Sequence, residues 1–116
     1  MRNYASPSSL FVGVIFAYPK GTMEMPLLSE EETLSRLHAL DGWERTGEAI
    51  RKQFTREDFV GSVDLVNRLV EPAEDMGHHP DIEISWNRVT VTLSTHSQGG
   101  LTEADFELAR RIDELA

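Results

Sequence analysis

The sequence predicts an α+β domain: a four-stranded antiparallel sheet carrying three helices on one face, in the order α-β-β-α-β-β-α. Three observations point there. A short polar residue followed three positions later by an acid opens each of three amphipathic stretches, at Ser29/Glu32, Thr55/Asp58 and Thr102/Asp105. Two runs compatible with short strands flank a turn near Gly47. Apolar and polar residues then alternate on both sides of Asn87-Arg88, as in a hairpin with one buried face.

Each element follows from local pattern. In the first helix Leu34, Leu37 and Leu40 recur at helical spacing before Asp41-Gly42 stops the pattern. Trp43 to Glu48 and Ala49 to Phe54 read as the first two strands, with Ile50 and Phe54 on one face and Arg51 and Gln53 on the other. The second helix is the longest and is expected to be the main core element. Phe59, Val63, Val66 and Val70 form its apolar stripe, with Leu69 beside it, and Gly77 and Pro80 mark its end.

In the second hairpin, Ile82, Ile84 and Trp86 alternate with Glu83 and Ser85, and Val89, Val91 and Leu93 alternate with Thr90, Thr92 and Ser94. If Asn87-Arg88 forms a two-residue loop, Trp86 faces Val89, Ile84 faces Val91 and Ile82 faces Leu93. A slip by one residue would turn a whole apolar set outward. The same register, extended to the open end, places His79 opposite His96, and the alternation assigns Trp86 to the core. Gly99-Gly100 is a flexible connection, after which Phe106, Ala109, Ile112 and Leu115 supply the apolar face of the third helix.

A chain of 116 residues with 40% hydrophobic content is long enough for one core and too short for two ordinary domains. Eleven basic against 20 acidic side chains give a net charge of −9, which argues against nucleic acid or an anionic membrane surface as partner. A small molecule or a protein fits better. Without cysteine there is no disulfide and no thiolate chemistry, in keeping with a cytoplasmic location. The apolar run Leu10 to Tyr18 is too short to span a bilayer, and its flanks make a poor signal peptide. Residues 1–26 are therefore expected to be a loosely ordered extension, with Met23 or Met25 near the natural start. Residues 27–116 are expected to form the domain.

The chemistry gathers around Glu74-Asp75-Met76-Gly77-His78-His79-Pro80 and His96. Histidine suits proton transfer because its ordinary pKa lies close to neutrality. A carboxylate such as Glu74 can orient an imidazole and raise its basicity, and Pro80 biases His79 towards extended backbone. Each residue also has a structural reading. His78 or His79 could serve as a helix-end cap or lie on the surface; Glu74 could be a solvated helix residue, Asp105 a helix cap, and Trp86 core. His38 lies outside the cluster and receives no function. A zinc hydrolase could use His78, His79, His96 and Glu74 as ligands, but no HExxH or comparable spacing is present and adjacent histidines seldom converge on one ion. No metal is expected.

Glu74, three residues, His78-His79-Pro80, five residues, Trp86, nine residues, His96, eight residues and Asp105 resemble the motif of the pterin-4a-carbinolamine dehydratases. Leu40-Asp41-Gly42-Trp43 and the stretch Thr90 to Asp105 are also similar to that family, and the resemblance runs from about Leu27 to the C-terminus. It implies dehydration of 4a-hydroxytetrahydropterin to quinonoid dihydropterin, in support of aromatic amino-acid hydroxylases. Pterin is then the substrate and no further cofactor is needed. On this resemblance His79 is the foremost acid/base, His78 contributes to proton transfer or pterin contacts, and His96 holds the substrate or tunes its neighbour. Glu74, Pro80, Trp86 and Asp105 are supporting or substrate-binding residues. The resemblance further implies a homodimer or homotetramer. It leaves open a second role, because animal relatives also act as dimerisation cofactors of a transcription factor.

Overall fold

The capping signals set where two of the three helices begin. The computed structural model describes residues 25–116. In it α1 (Glu30–His38) starts at Ser29, whose hydroxyl accepts from the Glu32 amide while the Glu32 carboxylate accepts from the Ser29 amide. That amide and the Ser29 hydroxyl hold the Glu32 carboxyl below its usual range. The last helix, α3 (Glu103–Leu115), opens on the same reciprocal arrangement between Thr102 and Asp105. For α2 (Phe59–Met76) the cap is Asp58, which accepts from the Gly61 amide. Thr55, expected at this helix start, instead closes the preceding strand.

The strands are β1 (Glu44–Thr46), β2 (Ala49–Thr55), β3 (Asp81–Ser85) and β4 (Arg88–Leu93), arranged β1-β2-β4-β3 with every pair antiparallel. The α+β architecture and the α-β-β-α-β-β-α order are those expected from the sequence. Gly47 takes a left-handed φ of 62° in the two-residue turn between Thr46 and Ala49. Ile50, Phe54, Val89, Val91 and Leu93 share the buried face of the sheet, where they pack with Leu65, Leu69 and Met76 of α2 and Phe106, Leu108, Ala109 and Ile112 of α3. Each such side chain larger than alanine contributes roughly 1.5–3 kcal/mol relative to leaving it in water. The opposite face carries Arg51, Gln53, Thr90 and Thr92. Most of the extension expected over residues 1–26 lies outside the described residues; Met25, at its end, packs half-buried against the core.

The hairpin register differs from expectation. Ile82 faces Val91 and Ile84 faces Val89, so the two loop residues are Trp86 and Asn87 rather than Asn87 and Arg88. This shift moves each pairing by two positions and leaves every side chain on its original face. The apolar pattern, with its period of two, is blind to it. Contacts outside the hairpin hold the tip: the Ser62 hydroxyl donates to the Trp86 carbonyl at 2.7 Å, and the Arg56 amide donates to the Asn87 carbonyl at 2.6 Å. Trp86 is consequently 67% exposed, with φ of 53°, and is not part of the core.

The buried face of α2 also lies elsewhere. Ser62, Leu65, Leu69, Pro72, Ala73 and Met76 point into the core, whereas Phe59 and Val70 are more than half exposed and Val63 and Val66 half-buried. Two apolar stripes run along this helix, and tertiary packing selects the one that includes Ser62, whose hydroxyl is satisfied by the hairpin tip. Similarly, Leu37 of α1 and Leu40 just after it pack against the core while Leu34 faces solvent. Leu115 is also partly exposed at the end of α3. Between α2 and α3, Arg111 bonds Asp75 at 3.0 Å and Glu107 at 2.9 Å. Burial alone would lower the guanidinium pKa, but these two carboxylates hold it above its ordinary value.

These assignments separate two leucines that look alike in the sequence. Leu108→Ala, at a fully buried site, is expected to lower the unfolding free energy by about 2–5 kcal/mol. Leu34→Ala should cost less than about 1 kcal/mol because that side chain already meets water. Urea unfolding followed by circular dichroism measures both, and equal losses would contradict the packing described.

Candidate active site

The end of α2 determines how the two adjacent histidines diverge. Gly77 adopts the left-handed conformation at φ 61°, its amide donating to the Glu74 carbonyl at 3.2 Å and the His78 amide to the Ala73 carbonyl at 3.0 Å. This paired closure satisfies two carbonyls of the last helical turn and sharply redirects the chain. Pro80 follows and favours extended backbone at His79. β3 begins one residue later.

His78 turns inward and His79 outward. The His78 side chain is 14% exposed, and its Nε2 lies 2.6 Å from Oδ1 of Asp105, a residue with no exposed surface. His79 is 63% exposed, with its Nε2 2.7 Å from Oε2 of Glu74, one turn back on α2. A carboxylate can only accept, so each imidazole donates from Nε2 and retains Nδ1 as its unprotonated nitrogen in the neutral form. Two neighbouring imidazoles thus hold the same tautomer through carboxylates on different helices.

Asp105 joins more than the expected pair. Its Oδ2 accepts from the Thr102 amide at 2.9 Å and from the Thr95 hydroxyl at 2.8 Å, while Oδ1 faces His78. The residue therefore caps α3 and anchors an imidazole at the same time. The two readings offered by the sequence, cap and site support, are compatible because the carboxylate has two oxygens.

His96 does not sit opposite His79. The observed strand register, continued past Asp81, pairs position 79 with Ser94, and Thr95 leaves the sheet to bridge to Gly100. His96 opens a short 3₁₀ turn, His96–Gln98, and lies 3.7 Å from Asp81 Oδ2 with both side chains largely exposed. It reaches the first residue of β3, close in sequence to His79, without the direct strand pairing expected. Trp86 lies at the other end of β3, roughly 20 Å along the chain from His79 at ordinary strand rise. A single chain does not bring it to the histidines. Among the described residues no group of three histidine or carboxylate side chains is arranged to hold a metal ion.

Thr95 was not among the residues expected here. Its signal is nevertheless present: Val89, Val91 and Leu93 point inward, so Thr95 stands next in the inward phase as a polar residue. It is buried, immediately precedes His96, and shares a 2.8 Å contact with the Thr102 hydroxyl.

Comparison with known proteins gives the family of the chain. Residues 26–115 match the family model described as pterin 4 alpha carbinolamine dehydratase. A protein of Thermosynechococcus vestitus that carries the family's name is 52% identical over 89 residues, covering 77% of this chain and 94% of its own. Another, from Nocardia farcinica, is 51% identical over 94 residues, covering 81% and 99%. The crystal structure of a transcriptional coactivator/pterin dehydratase from Brucella melitensis superposes with a TM-score of 0.75 at 39% identity, covering 78% of this chain and 99% of that one. With the match spanning residues 26–115, the chain belongs to the pterin 4 alpha carbinolamine dehydratase family.

Proposed function

We propose that the protein dehydrates 4a-hydroxytetrahydropterin to quinonoid dihydropterin by histidine acid/base catalysis. The observation that carries this reading is the pair of adjacent imidazoles, each with a carboxylate on Nε2, in a chain matching the dehydratase family over residues 26–115. The reaction breaks the C4a–O bond after protonation of the hydroxyl, removes the N5 proton, and leaves a C4a=N5 double bond and water. It therefore needs one group that gives a proton and one that takes it. A neutral imidazole with a free Nδ1 can take the N5 proton, and an imidazolium can protonate the leaving hydroxyl.

His79 is assigned the principal acid/base role, supported by its exposure and its contact with Glu74. That carboxylate accepts from Nε2 and so fixes the orientation of the ring and leaves Nδ1 facing outward to act. His78, held by Asp105, orients the substrate or carries a second proton. His96, exposed at the neighbouring turn, contacts the pterin from the other side. Pro80 fixes the backbone of His79, while Trp86 is left as a support whose position in one chain is remote from the histidines. We place the domain boundary near residue 26 and the protein in the cytoplasm, a reading supported by the absence of cysteine. Among the described residues no helix is long and apolar enough to cross a membrane.

Self-association belongs to the same reading. β3 is an edge strand, and Ile84 and Trp86 on its hairpin are exposed together with Phe59, Val60 and Val70 of α2. An unpaired edge beside exposed apolar side chains is usually covered. A second reading as an interaction module is favoured by the name of the Brucella melitensis structure, which includes a coactivator role for that protein.

Three measurements test these assignments. Purified protein should accelerate formation of the quinonoid product above the spontaneous rate, followed by absorbance on freshly generated 4a-hydroxytetrahydropterin; no acceleration would leave the interaction module as the better reading. His79→Ala should keep its circular dichroism spectrum and lose activity by about 10²–10⁴-fold, whereas unchanged turnover would move the principal role to another residue. Sedimentation at micromolar concentration is expected to give a dimer or tetramer, and a monomer mass would contradict self-association.

A further inference from the structure

We propose that Thr95 is a positioning residue for proton transfer, its hydroxyl setting the rotation of Asp105 and thereby the tautomer and orientation of His78. This deepens the dehydratase reading and rests on it for the catalytic consequence. The tautomer itself is a property of the protein alone.

The direction of every proton in the buried cluster follows from the donor inventory. Asp105 accepts at Oδ1 from His78 Nε2 and at Oδ2 from Thr95 Oγ1 and the Thr102 amide. The Thr102 hydroxyl accepts from the Ala104 amide at 3.2 Å. Since the single hydroxyl proton of Thr95 goes to Asp105, the 2.8 Å contact between the two threonines must be donated by Thr102. The result is a one-way chain, Thr102 to Thr95 to Asp105, with His78 donating to the same carboxylate from the other side. Reversing any member would place two protons or two lone pairs face to face.

The turn after β4 does not require the Thr95 hydroxyl. The Thr95 amide already donates to the Gly100 carbonyl at 2.8 Å, and its carbonyl accepts from the Gln98 and Gly99 amides at 2.9 and 3.0 Å. Those bonds build the turn that carries His96. The cap of α3 is likewise complete without it, because the Thr102 hydroxyl and the Asp105 carboxylate serve the helix start. What remains for the Thr95 hydroxyl is the carboxylate that holds His78. One residue therefore fixes the turn bearing His96 through its backbone and the inner imidazole through its side chain.

The test uses the full chain labelled with ¹⁵N, with the His78 ring assigned by comparison with His78→Asn. Long-range ¹H–¹⁵N correlation should show neutral His78 in the Nε2–H form. Thr95→Val, which removes the hydroxyl and keeps the branched shape, should give mixed tautomers. It should also lower kcat on the order of tenfold, as for loss of one buried bond to a charged group, with KM changed less than about twofold. Thr95→Ser should restore the tautomer and the turnover. If the valine methyl prevents folding, Thr95→Ala leaves room beside the carboxylate and carries the same expectations. A wild-type His78 in the Nδ1–H form overturns the proposal, as does a folded hydroxyl-less variant with wild-type ring signals and kcat. A protein whose ring behaves as expected but which never accelerates dehydration would instead refute the reaction and leave the positioning intact.

Discussion

Three parts of the chain meet at one buried carboxylate, and the rest of the site is arranged around it. Asp105 lies on the first turn of α3, accepts from Thr95 at the end of β4, and receives His78 from the junction between α2 and β3. Burying a carboxyl group without hydrogen-bond partners is costly, and here partners surround both oxygens. The same donors come from elements distant in sequence. Satisfying this one group therefore ties the helix start, the strand end and the inner histidine into a single geometry, and none of them can shift without leaving the carboxylate underbonded.

The parts of this arrangement that the sequence made legible are those set by local chemistry. Ser29, Thr102 and Gly77 act within a few residues of their own backbone, and their roles follow from residue type and spacing. The hairpin register was not legible in this way. A two-position shift conserves the inward phase of Ile82, Ile84, Val89 and Val91, so the pattern supports both registers equally. What distinguishes them is a set of contacts from Ser62 and Arg56, neither of which belongs to the hairpin. The expected opposition of His79 and His96 failed for that reason, and because Thr95 leaves the sheet to bridge to Gly100.

The α2 face failed for a related reason. Phe59, Val63, Val66 and Val70 form the more conspicuous stripe, yet the core takes the stripe containing Ser62, Leu65 and Leu69. A hydroxyl counts against burial only while it lacks a partner, and the partner of Ser62 is a carbonyl 24 residues away. Phe59 and Val70 of the displaced stripe then remain exposed, as does Trp86. Both misreadings thus share one origin at the contact between the start of α2 and the hairpin tip, and together they account for much of the exposed apolar surface.

The adjacency of His78 and His79 gains its meaning from the difference in their anchors. The His78 side chain is 14% exposed and that of His79 63%, so the pair cannot act as two copies of one group. His78 is locked to a buried carboxylate that is itself held by two further donors, which leaves its ring little freedom. His79 is held by Glu74, a partner exposed to solvent and, among the described residues, fixed by no comparable network. A proton-transfer site needs a group whose position is fixed before substrate arrives and a group that can exchange its proton with water between turnovers. The left-handed turn at Gly77, by sending one imidazole inward and its neighbour outward, puts a fixed ring and a solvent-facing ring on a single dipeptide, the pairing that the proposed proton transfer calls for.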